Sequence, residues 1–225
     1  MPIILNFSEK ETEELKRFWS NHTIISNDKN REGKSFLIGK NIYKIYNKDY
    51  LVENPICRND LPLESFLFPE EIYTCNNKVF AYRTPYIQNN QFKIETFRNW
   101  TIPNIKMIKK ALIPLIEDIY VLSKNNIEAI DLAWRNTLFD GEKIYIIDTL
   151  DYQIVDEDTE KDNLNSLKNI ITCLIANIEL VHDAYHKEIS DEDLDEYKNL
   201  HQYIKEEYQK VKEKYKDKEV QKIKK

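Results

Sequence analysis

The chain has 225 residues, a formal net charge of −6, 41% hydrophobic residues and 12% aromatic residues, with positive and negative charges interspersed. This globular, acidic balance excludes a linker protein and a general binder of nucleic acid or anionic membrane, because neutralising phosphates needs a basic face. Cys57, Cys75 and Cys173 lie far apart without a C-x-x-C pair, which excludes a zinc knuckle or disulfide framework and implies a reducing, cytoplasmic setting.

The amino terminus has only a short apolar run before charges begin, and no later stretch reads as a membrane span. Ser8 opens a first helix to Ser20, with Glu11 as its capping-box partner and Leu15, Phe18 and Trp19 as its apolar face. Three short extended runs follow: residues 23–25, 35–38 and 41–46. Turn signals at 27–30, Gly33 and Gly39–Lys40 separate them, so they read as an antiparallel meander. In the third run Lys44 is a charged residue inside an apolar alternation. Residues 70–73 and 78–84 flank Cys75-Asn-Asn77 as a second hairpin, and the polar stretch after Pro85-Tyr-Ile87 marks a boundary near residue 88.

From Pro103 the pattern turns helical, with Ile105, Ile108, Leu112, Leu115, Ile119 and Leu122 at three- and four-residue steps. Pro114 falls inside this run and should bend or divide it. Residues 136–147 read as a hairpin turning at Asp140-Gly141, which brings Asn136 and Asp148 to one edge, with Asp131 on the loop before it. An acidic loop at 156–162 precedes a helix from Leu164 to about His186. After a cap at Ser190, the residues Leu194, Tyr197, His201, Ile204, Tyr208, Val211 and Tyr215 form a heptad-like stripe. The stripe suits docking on its own lobe or weak self-association through 194–215. The basic residues 216–225 read as a frayed end.

The Asp131, Asn136 and Asp148 spacing resembles the catalytic core of the protein kinase-like superfamily, whose H-R-D-L-x-x-x-N loop and D-F-G segment supply a base and metal ligands. The resemblance spans roughly residues 23–152 and is specific only at 126–152. It implies a two-lobed α+β fold, with a small antiparallel sheet lobe at 1–88 and a mostly helical lobe at 89–225. It also implies ATP and Mg2+ as cofactors, Asp131 as base, Asn136 and Asp148 as metal ligands, and Lys44 on the nucleotide phosphates. Backbone groups of Tyr86, Ile87 and Gln88 would face adenine, and Glu64 or Glu71 would pair with Lys44.

Several family features are replaced. Ala129-Ile130 stands for His-Arg and Thr149-Leu150 for Phe-Gly, no A-P-E segment follows, and three glycines cannot build a G-x-G-x-x-G loop. The pattern is similar to small-molecule phosphotransferases and atypical kinases, acting on a hydroxyl of an unknown protein or small molecule. The alternative is an inactive pseudokinase that serves as a protein-interaction module. His182-Asp-Ala-Tyr-His186 resembles the zincin H-E-x-x-H, but the shorter Asp and the lack of a third ligand favour surface histidines near a helix end.

Overall fold

The computed structural model describes residues 2–25, 32–47, 61–185 and 188–216. The expected turn at 27–30, Cys57, His186 and the basic residues 217–225 lie outside the described residues. The fold is α+β, with a six-stranded mixed sheet, two small two-stranded sheets and five α-helices among the described residues. The chain divides into two compact units. A sheet unit takes 1–61, 67–86 and 148–151, and a helical unit takes 62–66, 87–147 and 152–225.

In the sheet unit the strand order is β1-β5-β6-β4-β3-β2, formed by β1 (Ile3–Asn6), β2 (Thr23–Ile24), β3 (Gly33–Ile38), β4 (Asn41–Tyr46), β5 (Glu71–Cys75) and β6 (Lys78–Pro85). The meander β2-β3-β4 and the β5-β6 hairpin are antiparallel, while Gly33, expected at a turn, instead opens strand β3 opposite Tyr46. The hairpin closes on Asn76 and Asn77, both at positive φ, the conformation a two-residue turn of this kind requires. The expected purely antiparallel sheet is corrected by β1, which pairs parallel with β5 at the edge. Its four residues carry no alternation to read, and the intervening chain is long enough for the crossover a parallel pair needs.

Helix α1 (Glu9–Ser20) has the expected capping box, with Ser8 and Glu11 satisfying each other's backbone donors. It covers one sheet face with Trp19, which packs with Phe36, Tyr73, Phe80 and Ala81. Phe18 departs from the expected apolar face and is exposed, while Thr12 is buried. The opposite sheet face holds Tyr46, Ile72, Val79 and Tyr82 together with Leu150.

The helical unit is built on α2 (Ile105–Lys124), whose buried stripe includes Ile108, Leu112, Leu115, Ile116 and Ile119. Pro114 lies inside this helix without dividing it. A proline removes one backbone bond, and burial of many apolar side chains at about 25 cal/mol per Å² outweighs that loss. Next come β7 (Ile127–Glu128), a 3-10 turn at Trp134–Asn136, and the hairpin of β8 (Thr137–Phe139) and β9 (Ile144–Ile146). The last strand, β10 (Gln153–Ile154), pairs back on β7.

Helix α3 (Glu160–Tyr185) starts within the expected acidic loop. Glu160 and Asp162 occupy its first turn, where the helix dipole favours negative charge, so acidity there marks a start and not a loop. By length and composition α3 could cross a membrane, which corrects the expectation that no stretch approaches a span. Its Leu167, Ile170, Ile171, Leu174, Ile178 and Val181 are buried within the unit. The heptad-like stripe is split at Asn199 into α4 (Asp191–Lys198) and α5 (Leu200–Tyr215). It docks on its own unit: Tyr203 donates to the Lys109 carbonyl at 3.1 Å, Tyr208 meets Tyr120 edge-on, and Lys212 pairs with Glu160.

The Trp19 ring touches Tyr43, Tyr73 and Phe80 with centroids 5.0 to 6.3 Å away. Trp19→Ala should therefore lower unfolding free energy by about 3–5 kcal/mol, read from urea denaturation. A second prediction concerns Asp118, buried in α2, whose carboxyl is pushed up to about 7 by burial, against lowering by the Ser65 and Glu64 backbone N–H groups. The native state thus favours the protonated form. Asp118 imposes no cost below the unfolded value near 3.8 and a growing one as pH rises to about 7. Urea melts should show Asp118→Asn gaining stability relative to wild type between pH 4 and 8, by up to about 4 kcal/mol at 1.36 kcal/mol per pH unit.

Candidate functional site

Lys44 sits in mid-strand on β4 with only 4% of its surface exposed. It lies directly opposite Tyr82 on β6, so both side chains share the sheet face away from α1. A lysine buried there requires a carboxylate. The Lys44 ammonium donates to both oxygens of Asp148, a residue 104 positions away, and approaches Glu32 at 3.5 Å. The rings of Tyr46 and Tyr82 flank it at 5.2 and 6.0 Å.

Tyr82 also donates to Asp148 Oδ1 at 3.0 Å. Burial, and then the negative charge of Asp148, push the Tyr82 phenol well above its usual range, so it remains a donor. The two glutamates expected for Lys44 are engaged elsewhere: Glu71 with Arg83 at 3.0 Å, and Glu64 with Lys143 at 3.6 Å within the helical unit.

In the helical unit Asp131 and Asn136 come together. The Asn136 amide donates to the Asp131 carbonyl at 3.0 Å and to its Oδ2 at 2.9 Å, while Arg135 pairs with Oδ1. Asn136 is 7% exposed, and its side-chain oxygen has no donor among the described residues. The hairpin starts immediately after it, with Thr137 opposite Ile146, and the Ile147 N–H donates to the Asn136 carbonyl at 2.9 Å. Asp148 is the next residue along the chain.

Backbone geometry separates these two aspartates from ordinary turn residues. Among the described residues, six other than glycine have positive φ; four are asparagines and the remaining two are Asp131 (+59°) and Asp148 (+63°). Left-handed backbone costs roughly 1 kcal/mol or more for a residue with a Cβ, and aspartate tolerates it better than most. Such strain persists where surrounding contacts hold it, here the Asn136 and Arg135 bonds on one and the Lys44 and Tyr82 bonds on the other.

The polar support that Ala129-Ile130 cannot supply comes from Asn163 on α3. Its Oδ1 accepts from the Ala129 N–H at 2.9 Å, while its amide donates to the Ile127 carbonyl, Thr159 and Ser123. Sequence reading missed Asn163 because all its partners but Thr159 lie 34 to 40 residues away, although an asparagine at an apolar-periodic helix position was a usable signal. Tyr82 was missed for the same reason.

At the expected adenine-facing segment, the Tyr86 N–H is taken by the Lys40 carbonyl at 2.9 Å. The Ile87 and Gln88 backbone groups make no backbone hydrogen bond among the described residues. His182 pairs with Asp183, and no group of three or more His, Cys, Asp or Glu suited to a metal occurs among the described residues.

Asn163→Ala should destabilise the protein by about 2 kcal/mol, because it strands a buried donor at Ala129 and leaves the Ile127 carbonyl with the Thr159 hydroxyl as its remaining side-chain donor. Thermal or urea melts would measure the loss, and Asn163→Asp should not restore stability, since it replaces three donations with a buried charge. No family model matches this chain, and a search of curated proteins finds no significant match.

Proposed function

We propose that this chain is an atypical kinase-like phosphotransferase of two lobes that uses ATP and Mg2+ to phosphorylate a hydroxyl of a protein or small molecule. The observation that carries this reading is the Lys44–Asp148 ion pair. The resemblance assigns these two residues, on separate grounds, to phosphate and metal, and they meet across 104 positions of sequence. An ion pair of this kind is also a store of two ligands: the ammonium suits phosphate oxygens and the carboxylate suits a hard cation.

The donors fit magnesium in kind, since Asp148 offers carboxylate oxygens and Asn136 an amide oxygen with no donor among the described residues. Bound magnesium would supply charge neutralisation on the nucleotide phosphates. Asp131 would orient the acceptor hydroxyl and take its proton as that oxygen bonds to the γ-phosphorus and the bond to the ADP oxygen breaks. Ile87 and Gln88 would offer backbone groups to adenine. A cytoplasmic setting provides the nucleotide.

A second reading, an inactive pseudokinase acting as an interaction module, is favoured by one observation. Both Asp131 carboxylate oxygens are engaged, by Arg135 and Asn136, which blunts a base. A partner would then use surface that the docked stripe of α4 and α5 leaves free, or self-association through 194–215 would require that stripe to rearrange.

A thermal-shift titration with ATP, with and without magnesium, tests the proposal on wild type, Asp148→Asn and Asp131→Asn. Nucleotide at a hundredfold its dissociation constant should add about 2.7 kcal/mol to wild type. The gain should need magnesium and vanish in Asp148→Asn, while Asp131→Asn keeps binding and loses phosphate transfer. Absence of any magnesium-dependent shift in wild type would defeat the catalytic reading.

A further inference from the structure

Asp118 lies in the middle of α2 with 3% of its surface exposed, among side chains that are otherwise mostly apolar. Its Oδ2 accepts from the backbone N–H of Glu64 at 2.9 Å and of Ser65 at 2.6 Å. The Ser65 carbonyl in turn accepts from the Ile146 N–H at 2.7 Å, and Phe66 bridges to Ile146 as a parallel partner. One residue on, Ile147 donates to the Asn136 carbonyl, and the Asn136 amide holds Asp131. A line of backbone and side-chain hydrogen bonds therefore runs from the core of α2 to Asp131, wholly within the helical unit.

We infer that Asp118 is a positioning residue: its carboxylate anchors the 64–65 backbone, and through it fixes the end of β9 against Asn136 and the loop that presents Asp131. A buried carboxylate is costly, and a leucine or asparagine would suit α2 better if packing were all that mattered. Ionised, it grips two backbone donors with charge-assisted bonds; protonated, it grips them less. Burial places this change near neutral pH. Glu64, the charged side chain acting on Asp118, adds a smaller upward push and is itself paired with Lys143. Among the described residues, the histidines of the unit are engaged away from this line, His182 with Asp183 and His201 with Thr172.

Amide NMR of the full chain between pH 5.5 and 8.5, without nucleotide, tests the anchoring. In wild type the amide signals of Glu64, Ser65 and Ile146 and the Asn136 side-chain amide should titrate together, with a midpoint near 7. In Asp118→Asn they should be flat. No common titration in wild type overturns the inference, as does a titration that persists in Asp118→Asn or stops at Ser65. The wild-type arm stands alone should the variant fail to fold.

The link to catalysis rests on the phosphotransfer reading. If wild type binds MgATP, Asp118→Asn should bind it more weakly at pH 8 and equally at pH 6, where wild type is itself protonated. Equal affinity at both values overturns the positioning role. A wild type that ignores MgATP sinks the phosphotransfer reading alone, because the NMR result does not depend on nucleotide.

Discussion

A lysine buried in the middle of a sheet is the constraint around which the sheet unit is arranged. Desolvating an ammonium costs several kcal/mol unless a carboxylate and further polar contacts answer it, so Lys44 dictates that a carboxylate reach the same face of β4. Asp148 does so, in a left-handed conformation, and Leu150 just beyond joins the apolar cluster that contains Tyr46 and Tyr82. Both tyrosine rings flank the ammonium, and the Tyr82 hydroxyl also donates to the carboxylate. A short segment, 148–151, is thereby made part of a unit otherwise drawn from the first 86 residues.

The helical unit solves a different problem, that of holding a polar loop still without polar residues in it. Ala129, Ile130 and Leu132 supply no side-chain hydrogen bonds, so the loop depends on amides brought from elsewhere. Asn163 reaches in from α3 and engages both Ile127 and Ala129, and Asn136 closes the loop from its far end by binding Asp131. Both amides are buried, and such networks rigidify when every member is satisfied.

Much of this was legible locally. The Ser8–Glu11 capping box, the Asn76–Asn77 and Asp140–Gly141 turns and the apolar period of α2 each encode their outcome within a few residues, and the structure follows them. Lys44 stood out as a charge inside an alternating strand, and the interval from Asp131 to Asn136 identified the loop. The parallel edge strand β1, the early start of α3 and the break at Asn199 were not legible. A four-residue run has no period to count, acidic residues suit both loops and helix starts, and a stripe of apolar residues continues across a short break between packed helices.

Composition, caps, turns and hydrophobic period thus determined the element types, the order of sheet-rich and helix-rich sequence, and the residues around which a site could form. Those signals act through bonds between near neighbours, which the chain itself supplies. Tertiary structure alone decided that Lys44 pairs with Asp148 and neither Glu64 nor Glu71, that Asn163 supports the Ala129 loop, and that Asp118 holds Ser65. Each of these is a buried polar group whose partner lies 34 to 104 residues away, and burial, which no single stretch of sequence specifies, is what makes the pairing obligatory.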